Sequence, residues 1–285
     1  MFKTRDRHYG IRGEFNIDKC DKCGFVFLNP MPSEKYLNSL YPEAYYAYQD
    51  FYEKQKGILK KIYSNFVDQK TYDPEFITAG NILDLGCGSG KYLYKFKKKG
   101  WNVYGVEVNK SAAKLGNDLE QLNIHSGNLI SAQFENDFFD YVRSNHSFEH
   151  IVNPKEVLTE IRRILKPTGK LFIGVPNISS FNAKIFKKYW WYLGAPVHTY
   201  NYSVSTLKRL LEQQGFKVEK VLYNGDLHGI LGSFQIYLNR NRLEKKSTEG
   251  FFINNILFKI SSSIFAKILN KLGTGDSMQF IASKK

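Results

Sequence analysis

Between Leu83 and Gly90 the chain reads Leu-Asp-Leu-Gly-Cys-Gly-Ser-Gly, with three alternating glycines directly behind an apolar run. Bare backbone at Gly86, Gly88 and Gly90 can turn tightly and approach a ligand with no Cβ in the way. The helical spacing from Lys91 to Phe96 offers free N–H groups to an anionic head group. Glu107 closes a second apolar run, where a carboxylate can accept hydrogen bonds from both hydroxyls of a ribose. Two other nucleotide loops are excluded by position. The dinucleotide fingerprint needs a glycine where Lys91 stands, and the Walker loop needs glycine and Ser/Thr where Leu85 and Tyr92 stand.

A second set of residues could move protons. His150 follows Ser147-Phe148-Glu149, and His198 ends the aromatic stretch Trp190-Trp191-Tyr192-Leu193-Gly194-Ala195-Pro196-Val197. Imidazole titrates near neutrality, so His150 and His198 are candidate bases, with His198 the first choice. A positioned base typically contributes ~10²–10⁴-fold to such a step. Trp190 and Trp191 suit the wall of an acceptor pocket. Cys20-Asp21-Lys22-Cys23 has the spacing of half a zinc knuckle, but beyond His8 no further ligand is at hand. Four ligands are needed, so a metal-free hairpin is expected there, and no bound metal elsewhere.

These residues must be held by elements, and the elements alternate. Strand signals at Asn81–Leu85, Trp101–Val108, Phe138–Val142, Leu171–Val175 and Phe216–Leu222 interleave with helix signals at Lys91–Phe96, Ser111–Leu122, Pro154–Leu165 and Ser203–Gln214. Gly100 and Gly215 stand as helix stops, and Pro154 as a helix start. Regular alternation implies a parallel sheet with right-handed crossovers. Three zones follow: 1–75, with the Cys-containing hairpin and a tyrosine-rich helical cover; 76–222, the α/β core; and 223–285, an amphipathic helix and a closing strand.

The segment Asp84-Leu85-Gly86-Cys87-Gly88-Ser89-Gly90, followed by Glu107 at a strand end, resembles motif I and its successor in class I S-adenosylmethionine methyltransferases. Phe139-Asp140-Tyr141-Val142, Ser147 to Pro154 and Leu165-Lys166-Pro167-Thr168-Gly169 resemble later stretches of that family. Pro176-Asn177, Trp191, His198, Tyr202-Ser203 and Gly215-Phe216 resemble a subgroup that includes ubiquinone-biosynthesis and surface-glycan O-methyltransferases. The resemblance covers 76–222 and implies a Rossmann-like, doubly wound, mostly parallel seven-stranded sheet. Its last strand would be antiparallel, with helical additions at both ends.

It also implies roles. Asp84 would hold the amino group of the cofactor's methionine part, and Gly86, Cys87, Gly88, Ser89 and Gly90 would meet that part with backbone. Glu107 and Val108 would take the ribose, and Asn128 and Leu129 the adenine. Asn145 and His146 would stand where methyl donor and acceptor meet. Family members end the third strand in Gly-Asp, whereas this chain has Gly127-Asn128, so an amide would replace the carboxylate. The tyrosines near Tyr46 would cover the cofactor and border the acceptor. The implied cofactor is S-adenosyl-L-methionine. The implied acceptor is a small molecule or glycan, nucleotide- or lipid-linked, with O-methylation of a sugar in surface-polysaccharide biosynthesis as the leading expectation. Quinone precursors and N- or C-methylation stay open, as do the alternatives of an RNA methyltransferase or a non-catalytic cofactor-binding regulator.

Composition narrows the field. Hydrophobic residues make up 42% of the 285, enough to bury a core. A net charge of +14 favours anionic partners, but the lysines are scattered. No recognised RNA-binding motif is present, and the residues after Tyr141 lack the Asp/Asn-Pro-Pro-aromatic pattern of amino-methylating enzymes. No nucleic-acid partner is therefore expected. Three cysteines and an unremarkable Met1–Asp6 point to a reducing, cytoplasmic setting. Residues 251–272 repeat Ile253, Ile256, Leu257, Ile260, Ile264 and Ile268 at helical spacing. Burial against the protein as a lid is the expected fate of that stripe, and peripheral contact with a membrane is the alternative.

Overall fold

In the computed structural model the described residues are 1–40, 78–242 and 248–285. The main sheet has seven strands in the order β10-β11-β8-β7-β4-β5-β6. They are β4 (Asn81–Leu85), β5 (Asn102–Glu107), β6 (Asn123–Ser126), β7 (Phe139–Asn145), β8 (Leu165–Pro176), β10 (Phe216–Tyr223) and β11 (Ser277–Lys284). Strands β4 to β8 pair in parallel, and β11 runs antiparallel between β8 and β10. The doubly wound sheet with one reversed last strand is the one expected.

Helices cover both faces, which is why the central strands read as continuous apolar runs. On one face α4 (Pro154–Ile164) buries Leu158, Ile161 and Ile164, and α6 (Val204–Gln213) buries Leu207, Leu210 and Leu211. On the other, α2 (Lys91–Lys97) buries Leu93 and Phe96 beside α3 (Lys110–Glu120) and its Ala113. Helix α6 starts in a capping box, with the Ser203 hydroxyl accepting from the Thr206 N–H at 3.2 Å.

A smaller antiparallel sheet joins β1 (Phe2–Thr4), β2 (Phe15–Lys19) and β3 (Val26–Asn29) to β9 (Tyr200–Asn201). Its core residues Ile17, Val26 and Leu28 pack with Ala183, Trp190 and Leu193, which follow β8. The N-terminal strands are thereby fastened to the loop beyond the main sheet. The Cys20–Cys23 pair forms the β2–β3 turn, closed by Gly24 N–H donating to the Cys20 carbonyl at 2.7 Å. His8, the third ligand considered, instead places its Nε2 2.9 Å from the Trp191 carbonyl oxygen. Short α1 (Glu34–Ser39) follows, capped by Ser33. The tyrosine-rich stretch with Tyr46 lies outside the described residues.

One buried ion pair ties β4 to β7. Asp84 and Arg143 are register partners on the parallel pair, so their side chains leave the same face. Arg143 Nη1 donates to both Asp84 oxygens at 2.8 and 3.0 Å, and its guanidinium lies 3.7 Å from the centre of the Tyr92 ring. Asp84 is only 2% exposed. Removing one partner of such a pair strands a buried charge, which typically costs about 3–5 kcal/mol. Arg143→Met should lower chemical-denaturation stability by that amount. Asp84→Asn/Arg143→Met should recover much of the loss.

Candidate active site

Parallel strands present their ligand crevice at their carboxyl ends, and here a cavity of about 650 Å³ opens there. The volume falls within the range of ordinary small-molecule sites. Its walls come from the turn after β4, the end of β5, the turn after β6 and the end of β7, with Glu34, Leu37 and Asn38 of α1 closing one side. An N-terminal helical cover is expected from the sequence, but Glu34, Leu37 and Asn38 carry no chemical motif that singles them out.

The turn after β4 is possible only with glycine. Gly86 has φ +73°, and a Cβ there would stand 2.4 Å from the Ser147 side chain. Two chain segments thus meet at van der Waals distance, and the Ser147 hydroxyl seals the approach by donating to the Leu85 carbonyl at 2.6 Å. Glu107, 5% exposed, fixes the other side: Oε2 accepts from the Gly88 N–H and Oε1 from the Asn109 N–H, both at 2.8 Å. Burial raises its pKa, against the pull of the amides. Each carboxylate oxygen accepts more than one hydrogen bond, so the group can also receive a diol from the cavity it lines.

Of the other expected cofactor contacts, Cys87, Gly88, Val108, Asn128, Leu129, Asn145 and His146 line the cavity. Asn128 Oδ1 already accepts from the Ser131 N–H at 2.9 Å and so shapes the turn where adenine is expected. The Cys87 thiol is pushed well up by burial, aided by Asp84 and Glu107, and stays protonated.

Several expectations need correction. Asp84 does not line the cavity; its carboxylate is committed to Arg143, a partner 59 positions away. Ser89 and Gly90 lie behind the wall, where Gly90, at φ +82°, faces the Leu122 side chain and opens α2. Trp190 is 2% exposed and donates its Nε1–H to Asp276 at 2.7 Å, so it serves a core. Trp191 stacks on His228 with ring centres 4.9 Å apart and meets the edge of His8. Neither indole lines the cavity.

The histidines fall into an order. His150 lines the cavity, and its Nδ1 lies 2.9 Å from the Val197 carbonyl oxygen. His198, the first choice as base, sits behind it with ring centres 4.8 Å apart and Nδ1 3.1 Å from the Tyr192 carbonyl oxygen. Burial and His150 hold the His198 pKa down at about 3, so it can neither reach an acceptor nor exchange a proton near neutrality. His150 is also lowered, chiefly by burial.

Beside the two rings lies Glu149, 1% exposed and without a hydrogen bond to either oxygen. Burial opposes its charge, but His146, His150 and His198 outweigh burial and hold it at about 2. Glu149, His150 and His198 bring one ligand atom each within 4.8 Å, a set with metal-ligand chemistry that the sequence reading did not foresee. His146 Nδ1 approaches Glu149 Oε1 to 3.5 Å from the cavity side.

Comparisons with known proteins decide the family. A family model described as "Methyltransferase domain" matches residues 53–221, more than half of the chain. The chain belongs to this methyltransferase family. Its cofactor is S-adenosylmethionine, and the glycine turn with Glu107 is the constellation that fits it: the backbone approach is open, and a buried carboxylate faces the cavity.

Relatives include a demethylmenaquinone methyltransferase of Lactobacillus johnsonii, 27% identical and covering 58% of this chain and 80% of that protein. A ubiquinone biosynthesis O-methyltransferase of Rhodopseudomonas palustris is 30% identical, covering 34% and 40%. An uncharacterized protein of Methanocaldococcus jannaschii is 29% identical; the match spans 39% of this chain and about half, 52%, of the relative. The crystal structure of a SAM-dependent methyltransferase from Archaeoglobus fulgidus shares the fold, with TM-score 0.52, 22% identity and coverage of 83% and 99%.

Two outcomes test this site. Hydrogen bonds to a charged group are worth about 1.5–3 kcal/mol. Glu107→Ala should therefore weaken S-adenosylmethionine binding by roughly 10–100-fold in calorimetry. His198 is depressed in the folded state, so between its unfolded pKa near 6.5 and about 3 the unfolded chain binds the extra proton. Stability is full above pH 6.5 and is lost as pH falls below it. The melting temperature should drop steadily from pH 7 to pH 5, and His198→Gln should flatten that slope.

Proposed function

We propose that this methyltransferase methylates a hydroxyl oxygen of a small molecule carried on a hydrophobic group, with His146 as the base. The observation that carries the proposal is the placement of His146. It directly follows β7 on the cavity wall with Nδ1 3.5 Å from the buried Glu149 carboxylate. Its φ of +53° is a conformation that non-glycine residues adopt rarely and that concentrates at functional sites.

When bound, S-adenosylmethionine supplies an electrophilic methyl group on a sulfonium. The cavity residues align the acceptor with it and exclude water. With the Nδ1 hydrogen directed at Glu149, His146 Nε2 holds the lone pair that takes the hydroxyl proton. The Ser277 hydroxyl lies 3.4 Å from that nitrogen but donates to the Val175 carbonyl at 3.3 Å, which leaves the lone pair for the acceptor. The new imidazolium then faces a carboxylate that is already ionised. His150 and His198 pack beside Glu149 as well.

The acceptor class draws on two supports. Leu37, Ile151, Val152 and Val157 give the cavity an apolar side. The relatives' names include demethylmenaquinone, ubiquinone-biosynthesis and sterol methyltransferases, and each name refers to a hydrophobic molecule. The sugar acceptor expected from the sequence fits this class when it is lipid-linked.

His146→Ala should lower turnover by about 10²–10⁴-fold, the usual contribution of a positioned base, with cofactor affinity little changed. Assays would pair demethylated quinols with lipid-linked sugars. Turnover unaffected by His146→Ala, alongside intact cofactor binding, would remove the base from the scheme.

A further inference from the structure

Helix α9 (Ile256–Lys271) is turned opposite to the expectation from its pattern. The residues it buries are Ser262, Ser263, Ala266 and Leu269. Its bulky apolar residues point outward: Leu257 is 73% exposed, Ile264 52%, Ile268 49% and Leu272, just past the end, 69%. Spacings of seven and four put these side chains on one stripe.

The stripe is not isolated. Phe265 meets Phe181 of α5 (Phe181–Phe186) with ring centres 6.1 Å apart. Phe258 meets Phe252 of α8 (Phe251–Asn254) at 5.0 Å, and Phe252 meets Phe234 of α7 (Ser233–Leu238) at 5.3 Å. Exposed Phe181, Ile185, Tyr237, Leu238 and Phe251 extend the surface along these helices. Single exposed apolar residues are ordinary, but a contiguous patch with a polar rim marks a docking surface.

The rim is mainly cationic, with exposed Glu249 just before α8 as an exception. No Asp or Glu occurs from Gly250 to Gly275, whereas Lys259, Lys267 and Lys271 do. Lys184, Lys187 and Lys188 lie in and just after α5, and Arg240 and Arg242 follow α7, again with no acid inside either stretch. A second copy docked by two-fold symmetry would bring these cations against one another. An anionic surface would complement them. At about 1.5 Å per residue α9 is roughly 24 Å long, too short to cross a bilayer core of about 30 Å. Among the described residues no helix is long and apolar enough to span.

From this we infer that the face formed by α5, α7, α8 and α9 docks on the surface of an anionic lipid bilayer, with α9 lying in the plane of the interface and the basic residues among the head groups. Helix α9 runs on through a short turn to Ser277, whose hydroxyl lies beside His146 on the cavity wall. The docking face and the site therefore share one edge of the sheet. This inference needs neither the proposed base nor the proposed acceptor.

The test is co-sedimentation of the full chain with phosphatidylcholine vesicles, without and with about 30 mol% phosphatidylglycerol, at low and high salt. Binding should be at least about tenfold stronger to the anionic vesicles and should weaken with salt. Leu257→Ser/Ile264→Ser/Ile268→Ser and, separately, Lys267→Gln/Lys271→Gln should each lose about tenfold or more, with cofactor affinity unchanged as the control for folding. Three results would overturn the inference. They are no pelleting with either vesicle, binding indifferent to both variants, or light scattering that shows a dimer which the serine variant converts to monomer.

Discussion

A carboxylate at the end of β5 holds the loop after β4 in place, and the site is built around that link. Glu107 accepts one N–H from the glycine turn and one from the start of the next helical segment, so it joins two crossovers at the carboxyl edge of the sheet. Without it, two half-buried backbone donors would lose their partners. With it, the turn stays open toward the cavity and a charge that burial disfavours is kept there. The alternating glycines are the steric half of the arrangement, because no side chain could fit where β4 and β7 approach at Gly86.

Three further buried carboxylates show how partner chemistry decides function. Asp84 faces a guanidinium and becomes a fastener between strands. Asp276 faces three neutral donors, the Ser180 hydroxyl, the Asn182 amide and the Trp190 indole, and burial keeps its pKa raised while it anchors the loop after β8. Glu149 adjoins the imidazoles of His146, His150 and His198, and of these His146, at 3.5 Å, approaches it from the cavity side. Of the three, Glu149 alone adjoins imidazoles that line the cavity.

What could be read from the sequence was what depends on near neighbours in the chain. The alternation of strand and helix signals, the glycine turn and Glu107 at the end of its strand are all local, and the fold follows them. Partners set by register or by distant loops could not be read. Arg143 claims Asp84 because β4 and β7 pair at that step, across 59 positions. Asp276 claims Trp190 across 86, taking an aromatic residue that looked like a pocket wall into a core. His198 reaches Glu149 only because the loop after β8 returns to the end of β7. Hydrophobic periodicity identified the stripe on α9 but not which side would face the protein. Small residues won the buried side, because Ser262, Ser263 and Ala266 allow close approach to the neighbouring segments.

The most direct measurement is a crystal structure of the chain with S-adenosylhomocysteine. The account predicts the ribose hydroxyls on Glu107, the adenine against Asn128 and Leu129, and the homocysteine portion along Gly86 to Gly88, with His146 facing the space beyond the sulfur. Ligand bound at another place, or a nucleoside turned away from Glu107, would contradict it.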